Sequence, residues 1–260
     1  MIRYVILGIV QGLTEFLPVS SSGHLVLGEH ILQLDPPGVL LETVLHLGTL
    51  FSVLFVFRRD VLNLVRSVFK GGEDRNEAFR LLLATLPIVL VGFFLQSRIE
   101  GVFSSILLVA VCLCVNGGIL FLADWANRRA DRVSVPPGTA LLIGLAQAAS
   151  LLPGISRSGV TISTALFLGT RGKEAARFSF LLAIPAIFGA GLFQFYKAHR
   201  VVTPWQAEWR GLLVGGLVAA IVGAFAIKGL LAVIARGRLK TFAGYCLALG
   251  VAVLIYIYVR

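Results

Sequence analysis

The residues best suited to chemistry lie near the start of the chain, between Gln11 and His24. This stretch places a carboxylate (Glu15), three consecutive hydroxyls (Ser20 to Ser22) and an imidazole inside sequence that is otherwise almost wholly apolar. Ionisable side chains at membrane depth are costly, so they are functional candidates by default. We expect this stretch to form half of an active site.

A second polar cluster follows Pro153 and Gly154 and runs from Ser156 to Thr161. At an offset of 136 residues the chain resembles itself, since Gly8, Gln11, Ser20, Ser22 and Gly23 fall on Gly144, Gln147, Ser156, Ser158 and Gly159. Apolar segments interrupted at corresponding places in two halves indicate a midplane site in an inverted-repeat membrane protein. The two clusters are therefore predicted to meet.

Gln11 and Glu15 are four residues apart, which places both on one face of a helix. A carboxylate beside an amide can hold a divalent cation through oxygen ligands, or orient a water or an imidazole. The alternative is that Glu15 is a buried acid held by neighbouring backbone donors.

The serine run precedes a short apolar segment and could serve merely as a helix N-cap. Backbone N–H groups exposed at a helix start also suit phosphate. His24, just inside the helix, is a candidate nucleophile or general acid–base, with a structural role as the alternative.

Arg157, in the second cluster, needs an anion at membrane depth, and its planar fork suits phosphate or carboxylate. A structural ion pair with Glu15 is the alternative. Two helix N-termini and one arginine facing each other predict a site for a multiply charged anion, such as a diphosphate.

Composition excludes an ordinary soluble domain, because 57% of residues are hydrophobic, 14% are charged and the mean hydropathy is +0.91. The net charge of +10 comes from Lys and Arg that cluster between apolar runs, where they orient helices against anionic lipid, so no nucleic-acid partner is expected. No removable signal peptide is expected. The cysteines, Cys112, Cys114 and Cys246, are interpreted as packing residues.

We predict an all-α polytopic membrane protein, an inverted-topology repeat with six transmembrane helices and two re-entrant helical hairpins. The single membrane domain divides into repeats 1–135 and 136–260, with hairpins at 2–34 and 139–169. The predicted spans are 39–57, 81–96, 103–123, 178–196, 211–231 and 241–259.

Most basic residues fall in four connections, 58–80, 128–132, 171–177 and 228–240, which are expected to be cytoplasmic loops. The first hairpin then enters from the outer face and the second from the inner face. Because the outer loops carry few charges, the site is expected to open outward.

The stretches Gln11 to His24 and Pro153 to Thr161 resemble the two signature motifs of the undecaprenyl-diphosphate phosphatase family, also known for bacitracin resistance. These motifs are E/Q-x-x-x-E with a nearby Ser and His, and P-G-x-S-R-S-x-x-T. The likeness extends over essentially the whole chain. Gln11 occupies the first acidic position, which leaves Glu15 as the only carboxylate of that pair.

The resemblance implies a bacterial plasma-membrane enzyme that hydrolyses undecaprenyl diphosphate, a polyprenyl diphosphate lipid, to the monophosphate carrier used in cell-wall synthesis. It implies help from a divalent cation, magnesium or calcium, with Glu15 as its ligand. The catalytic residues it implies are Glu15, Ser21, His24 and Arg157, and the expected substrate-binding residues are Gln11, Ser20, Ser22, Ser156, Ser158, Gly159 and Thr161.

Ser21 and His24 both remain candidates for the nucleophile. Membrane lipids are the other expected partners, and a homodimer is left open. A polyprenyl-phosphate flippase or transporter is the rival function, because broken helices at a midplane are also a transporter architecture. Transport needs an anion site but no nucleophile.

Overall fold

The computed structural model describes residues 1–32, 38–70, 73–102, 105–198 and 209–259. Within these ranges the chain is helical, which confirms the predicted all-α class. The helices are α1 (Ile2–Thr14), α2 (Ser21–Leu32), α3 (Gly38–Val56), α4 (Arg58–Lys70), α5 (Glu73–Val102), α6 (Ile106–Asn127), α7 (Pro137–Ala149), α8 (Arg157–Phe167), α9 (Gly172–Ala198), α10 (Trp209–Ala235) and α11 (Lys240–Val259).

Among the described helices, α5, α6, α9, α10 and α11 are long and apolar enough to cross a membrane. A sixth candidate is the pair of α3 and α4, which is bent by 83°. The polytopic membrane class is thereby confirmed, and a count of five or six spans agrees with the six expected.

The basic residues of 58–80 predict a loop, and this prediction is wrong for most of the segment. α4 covers Arg58–Lys70, and α5 begins at Glu73. The polar and apolar residues of α4 separate onto different faces, as in an amphipathic helix, and charge density alone does not distinguish such a helix from a loop.

The two short helices α1 and α7 have 13 residues each. At about 1.5 Å per residue they reach roughly 20 Å, less than a hydrocarbon core of about 30 Å. α1 packs against α2, and α7 against α8. A Cβ on Gly28 in α2 would lie 3.5 Å from the side chain of Leu7, so α2 returns along α1. The re-entry of both hairpins and the repeat boundaries stay predictions.

The short helices also pack in corresponding ways on long ones, α1 on α10 and α7 on α5. A Cβ on Gly8 would lie 2.5 Å from the carbonyl oxygen of Gly215 in α10. A Cβ on Gly144, the residue matched to Gly8 by the sequence offset, would overlap the backbone of Ala84 in α5. Glycine at both crossings allows the helix backbones to approach closely.

The largest apolar cluster lies next to the turn that follows α1. Phe16 is completely buried, and its ring meets the ring of Phe180 in α9 edge-on, with centroids 5.7 Å apart. The packing of Phe16 against α9 fixes the position of the chain at the neighbouring residue, Glu15.

Candidate active site

The first polar cluster forms the N-terminal cap of α2. Ser20 precedes the helix with a φ of 70°, and its hydroxyl accepts a hydrogen bond from the backbone N–H of Gly23 at 3.2 Å. The hydroxyl of Ser22 lies 3.3 Å from that of Ser20. Ser21 is the first residue of the helix, and its side chain is left free of the cap.

The second cluster caps α8 with the same hydrogen bonds. The Ser156 hydroxyl accepts from the N–H of Gly159 at 3.1 Å and lies 3.1 Å from the Ser158 hydroxyl. Arg157 is here the first helical residue and corresponds to Ser21. A serine at the N-cap that bonds the third helical N–H satisfies one of the orphan donors of a helix start.

Glu15 is the group at which the two clusters meet. Its Oε1 accepts from Nη2 of Arg157 at 2.5 Å. Its Oε2 accepts from the Ser21 hydroxyl at 2.6 Å and from the Gln11 amide at 3.0 Å, and Nε2 of His46 lies 3.4 Å away. The structure therefore brings Gln11, Glu15, Ser21 and Arg157 together, as the sequence predicts.

The ion pair between Glu15 and Arg157 is largely withdrawn from solvent, with side chains 4% and 14% exposed. Charges so buried are tolerated when each is paired and hydrogen-bonded. The structure thus contains the ion pair that was the alternative to an anion site at Arg157. The guanidinium binds one oxygen of the carboxylate, and the Ser21 hydroxyl binds the other.

His46, on α3, is a site residue that the sequence analysis did not single out. Its Nδ1 lies 2.7 Å from the carbonyl oxygen of Glu42, which can only accept, so Nδ1 carries the hydrogen and Nε2 faces Glu15. The signal was present in the sequence, because Glu42 and His46 are ionisable residues four apart inside a predicted apolar span.

Asn116, on α6, joins the two capped turns and was also missed. Its Nδ2 donates to the carbonyl of Pro18 at 2.9 Å, and its Oδ1 accepts from the N–H of Ser156 at 3.2 Å. The side chain is completely buried. One amide therefore satisfies a backbone group of each turn and fixes the distance between them.

His24 lies apart from the carboxylate. Its Nδ1 donates to the carbonyl of Ser20 at 2.7 Å, and its Nε2 lies 2.7 Å from the hydroxyl of Tyr245 in α11, whose ring stacks on the imidazole. With Nδ1 as donor, neutral His24 accepts from Tyr245 through Nε2. Tyr245 is a further site residue that the sequence analysis missed.

Thr161 supports the second turn from within α8. Its hydroxyl donates to the carbonyl of Arg157 at 2.7 Å and lies 2.6 Å from the Ser179 hydroxyl in α9. Ser158 donates to the carbonyl of Leu17 at 3.2 Å, a second bond between the two turns. Thr161 thus positions the turn that carries Arg157.

The donor set for a metal is small. In the described part of the chain, no group of three or more His, Cys, Asp or Glu side chains could hold a metal ion. The Oε1 of Gln11 is nevertheless a buried acceptor without a hydrogen-bond partner among the described residues. Beside Glu15, it is the one spare oxygen ligand of this cluster.

Comparison with known proteins covers almost the whole chain. The family model described as bacitracin resistance protein BacA matches residues 4–252. Undecaprenyl-diphosphatase from Desulforudis audaxviator is 41% identical over 98% of this chain and 97% of its own length. The protein of that name from Korarchaeum cryptofilum is 41% identical over 96% of this chain and 97% of its own length. The one from Mycobacterium ulcerans is 40% identical over 97% of this chain and 95% of its own length.

These matches agree with the resemblance of the two motifs. A model that spans residues 4–252 includes both capped turns and the helices that pack around them. The chain belongs to the bacitracin resistance protein BacA family.

Proposed function

We propose that this protein is a membrane phosphatase that hydrolyses undecaprenyl diphosphate to undecaprenyl phosphate and inorganic phosphate. The observation that carries the proposal is the 2.6 Å hydrogen bond from the Ser21 hydroxyl to a carboxylate that Arg157 also binds. The names of the relatives support the same activity, and none of the three relatives described above is named as a transporter.

We assign the nucleophile to Ser21 rather than His24. A serine hydroxyl needs an adjacent base to become reactive, and Glu15 accepts its proton directly. The Nε2 lone pair of His24 instead meets the Tyr245 hydroxyl. His24 then has the role of orienting the α2 cap through its bond to the carbonyl of Ser20.

The reaction proceeds in two displacements. Oγ of Ser21 attacks the terminal phosphorus while Glu15 takes the hydroxyl proton, and the bond from that phosphorus to the bridging oxygen breaks, releasing the lipid monophosphate. Glu15 then gives this proton to the departing lipid monophosphate. In the second displacement Glu15 takes a proton from the water that attacks the phosphoserine, and returns it to Oγ of Ser21 as the bond from Oγ to phosphorus breaks and inorganic phosphate leaves. Arg157 and the N–H groups of the two capped turns stabilise the charge on the phosphoryl oxygens.

A divalent cation, magnesium or calcium, is part of the proposal. Glu15 and the spare Oε1 of Gln11 would contribute oxygen ligands. Mg²⁺ is commonly held by one or two carboxylates together with substrate phosphates, so the diphosphate would supply the remaining ligands. The cation would add positive charge next to the phosphoryl oxygens.

The partner of the site is then a polyprenyl diphosphate lipid in the membrane that surrounds the spanning helices. We propose that the site faces the outer side of a bacterial plasma membrane, because the predicted cytoplasmic connections hold most of the basic residues.

The test is phosphate release by the purified protein, followed by trapping of the covalent intermediate. With undecaprenyl diphosphate labelled on the terminal phosphate, rapid acid quenching should leave label on Ser21, because a phosphoserine ester survives acid. A parallel alkaline quench preserves phosphohistidine, and an acid-labile, alkali-stable adduct found there would instead assign the attack to His24. No phosphate release with magnesium or calcium present would overturn the phosphatase itself.

Ser21→Ala should lower turnover by more than about 10³-fold, as loss of a nucleophile does in other hydrolases. Ser22→Ala is the matched control, because Ser22 lies in the same turn but contacts the cap rather than Glu15. Its turnover should stay within about tenfold of the unsubstituted protein.

A further inference from the structure

α4 runs nearly perpendicular to the helix before it. α3 ends at Val56, α4 begins at Arg58, and the two form an angle of 83°. If α3 crosses the membrane, a helix at this angle lies along the membrane surface. The break comes at Arg58, where an apolar run gives way to charged residues.

One face of α4 is committed to the protein. Val61 and Leu64 pack against the main apolar cluster, and Ser67 is buried. Asp60 accepts from Nε of Arg177 in α9 at 2.7 Å, and the same guanidinium binds Glu77 of α5 at 2.5 and 3.1 Å. This ion-pair cluster fixes which faces of α4 point outward.

The next face is apolar and uncovered within the described structure. Leu62, Val65 and Phe69 are 52%, 54% and 86% exposed. Their spacing of three and four residues places them on one side of the helix. Side chains of this size on a surface helix indicate contact with a partner or a membrane.

The third face is basic. Arg59, Arg66 and Lys70 are exposed and follow one another at seven and four residues, with the exposed Asn63 between them. This spacing gives one stripe, directly beside the apolar one. An apolar stripe flanked by a basic stripe is the pattern of a helix that lies in a membrane interface.

We propose that α4 is an interfacial anchor that binds anionic phospholipid, with Leu62, Val65 and Phe69 among the acyl chains and Arg59, Arg66 and Lys70 at the headgroups. Its position at the end of α3 places it at the level of the headgroups, and its charge is complementary to anionic lipid. The anchor is separate from the phosphatase site and does not depend on the reaction assigned to that site.

The first experiment measures lipid selectivity. The full-length protein is placed in phosphatidylcholine bilayers that contain a trace of spin-labelled phosphatidylglycerol or, in a second sample, of spin-labelled phosphatidylcholine. The fraction of each labelled lipid whose motion the protein restricts is measured, and the ratio of the two fractions gives the preference for phosphatidylglycerol. R59Q/R66Q/K70Q should lower this preference about fivefold or more, since each basic residue near the surface contributes about 1 kcal/mol. The matched control, R236Q/R238Q/K240Q, removes three exposed charges from the connection between α10 and α11 and should lower the preference less than the first variant does.

Equal losses in the two triple variants, or none in the first, would overturn the anchor. Thermal unfolding in detergent reports whether each variant is folded. If the first variant fails to fold, the unsubstituted protein still provides a test. Salt at 1 M reduces the Debye length to about 3 Å and so weakens the attraction between the basic residues and anionic headgroups. A preference for phosphatidylglycerol that persists in 1 M salt would contradict the proposal.

The second experiment measures immersion. A nitroxide on Phe69→Cys should collide with oxygen more often than with a water-soluble nickel complex, and one on Asn63→Cys should show the reverse order. Cys112 and Cys246 are buried and Cys114 is half-buried, so labelled unsubstituted protein supplies the background. Equal exposure of both positions to the nickel complex would mean that α4 lies in water.

Discussion

At the scale of single residues, the carboxylate of Glu15 is the centre of the site because its two oxygens have different partners. One oxygen meets Arg157 and the other meets Ser21, Gln11 and His46. A base must be oriented as well as basic. The ion pair orients Glu15, and the second oxygen remains directed at the Ser21 hydroxyl, from which we propose that it takes the proton.

Glu15→Gln should therefore lower turnover strongly, because it removes the base. An amide can still accept from Ser21 but takes no proton at neutral pH, so phosphate release should fall by about 10²–10⁴-fold. Release is measured across a range of magnesium and calcium concentrations, so that a changed cation requirement is visible. Gln11→Glu is the comparison and should be tolerated. Equal tolerance of both substitutions would contradict both the base and the cation ligand.

Arg157→Lys should be severely impaired although the charge is kept. A lysine ammonium is a point charge and cannot reproduce the planar fork that binds Glu15 and, in the proposed reaction, the phosphoryl oxygens as well. We expect at least about a hundredfold loss of kcat, which Michaelis–Menten kinetics separate from KM. Arg171→Lys, at an exposed arginine beyond α8, is the control. Near-normal turnover of Arg157→Lys would reduce Arg157 to a structural counter-ion.

The sequence predicts much of the site but not all of it. Glu15, Ser21 and Arg157 were found because charge and hydroxyl groups stand out in apolar sequence. Asn116 was missed because one amide in a long span matches no motif, and its role depends on two turns that are distant in the chain. Tyr245 was missed because an aromatic residue in a membrane helix is ordinary until His24 is placed beside it.

At the scale of helices, close crossings position the two hairpins, and glycine makes those crossings possible. Gly144 lets α7 lie directly on the backbone of α5 beside Ala84. α7 leads into the turn that carries Arg157. A shift of this helix therefore moves the guanidinium relative to Glu15.

Gly144→Ala should destabilise the protein by about 1–3 kcal/mol, because the added methyl overlaps backbone that cannot yield as a side chain would. Thermal unfolding in detergent measures the loss as a lower Tm. Gly118→Ala is the matched control, since a Cβ at Gly118 in α6 meets no atom within 4 Å. An unchanged Tm for Gly144→Ala would show that α7 does not need this close approach.

Hydropathy predicts the long helices well, because an apolar span needs only length and composition. α4 was not predicted as a helix, because a segment with so many charged residues has the composition of a loop. Its orientation depends on the contacts of Arg177 with Asp60 and Glu77, which are distant in the sequence. Pairings between helices such as α1 with α10 depend on packing that a single sequence does not display.

At the scale of the whole molecule, the proposed outward opening of the site can be tested from both sides of the membrane. Ser22 is half-buried in the first capped turn, within the hairpin predicted to enter from outside. A membrane-impermeant thiol reagent should therefore modify Ser22→Cys in intact cells. The unsubstituted protein is the control for its own three cysteines.

The same reagent should fail on inside-out vesicles, because the predicted cytoplasmic connections leave Ser22 on the far side. Labelling of Ser22→Cys in those vesicles alone would reverse the orientation and place the reaction on the cytoplasmic leaflet. Release of phosphate by the purified protein would be unaffected by that result.

The two caps have a consequence for how such a site can be built. Both turns use the same serine and glycine bonds, yet the first helical residue is Ser21 in one and Arg157 in the other. An assembly of two identical halves would present either two hydroxyls or two guanidinium groups to a carboxylate. Because the first helical residues of the two caps differ, one carboxylate can bind a hydroxyl and a guanidinium at the same time, as Glu15 does.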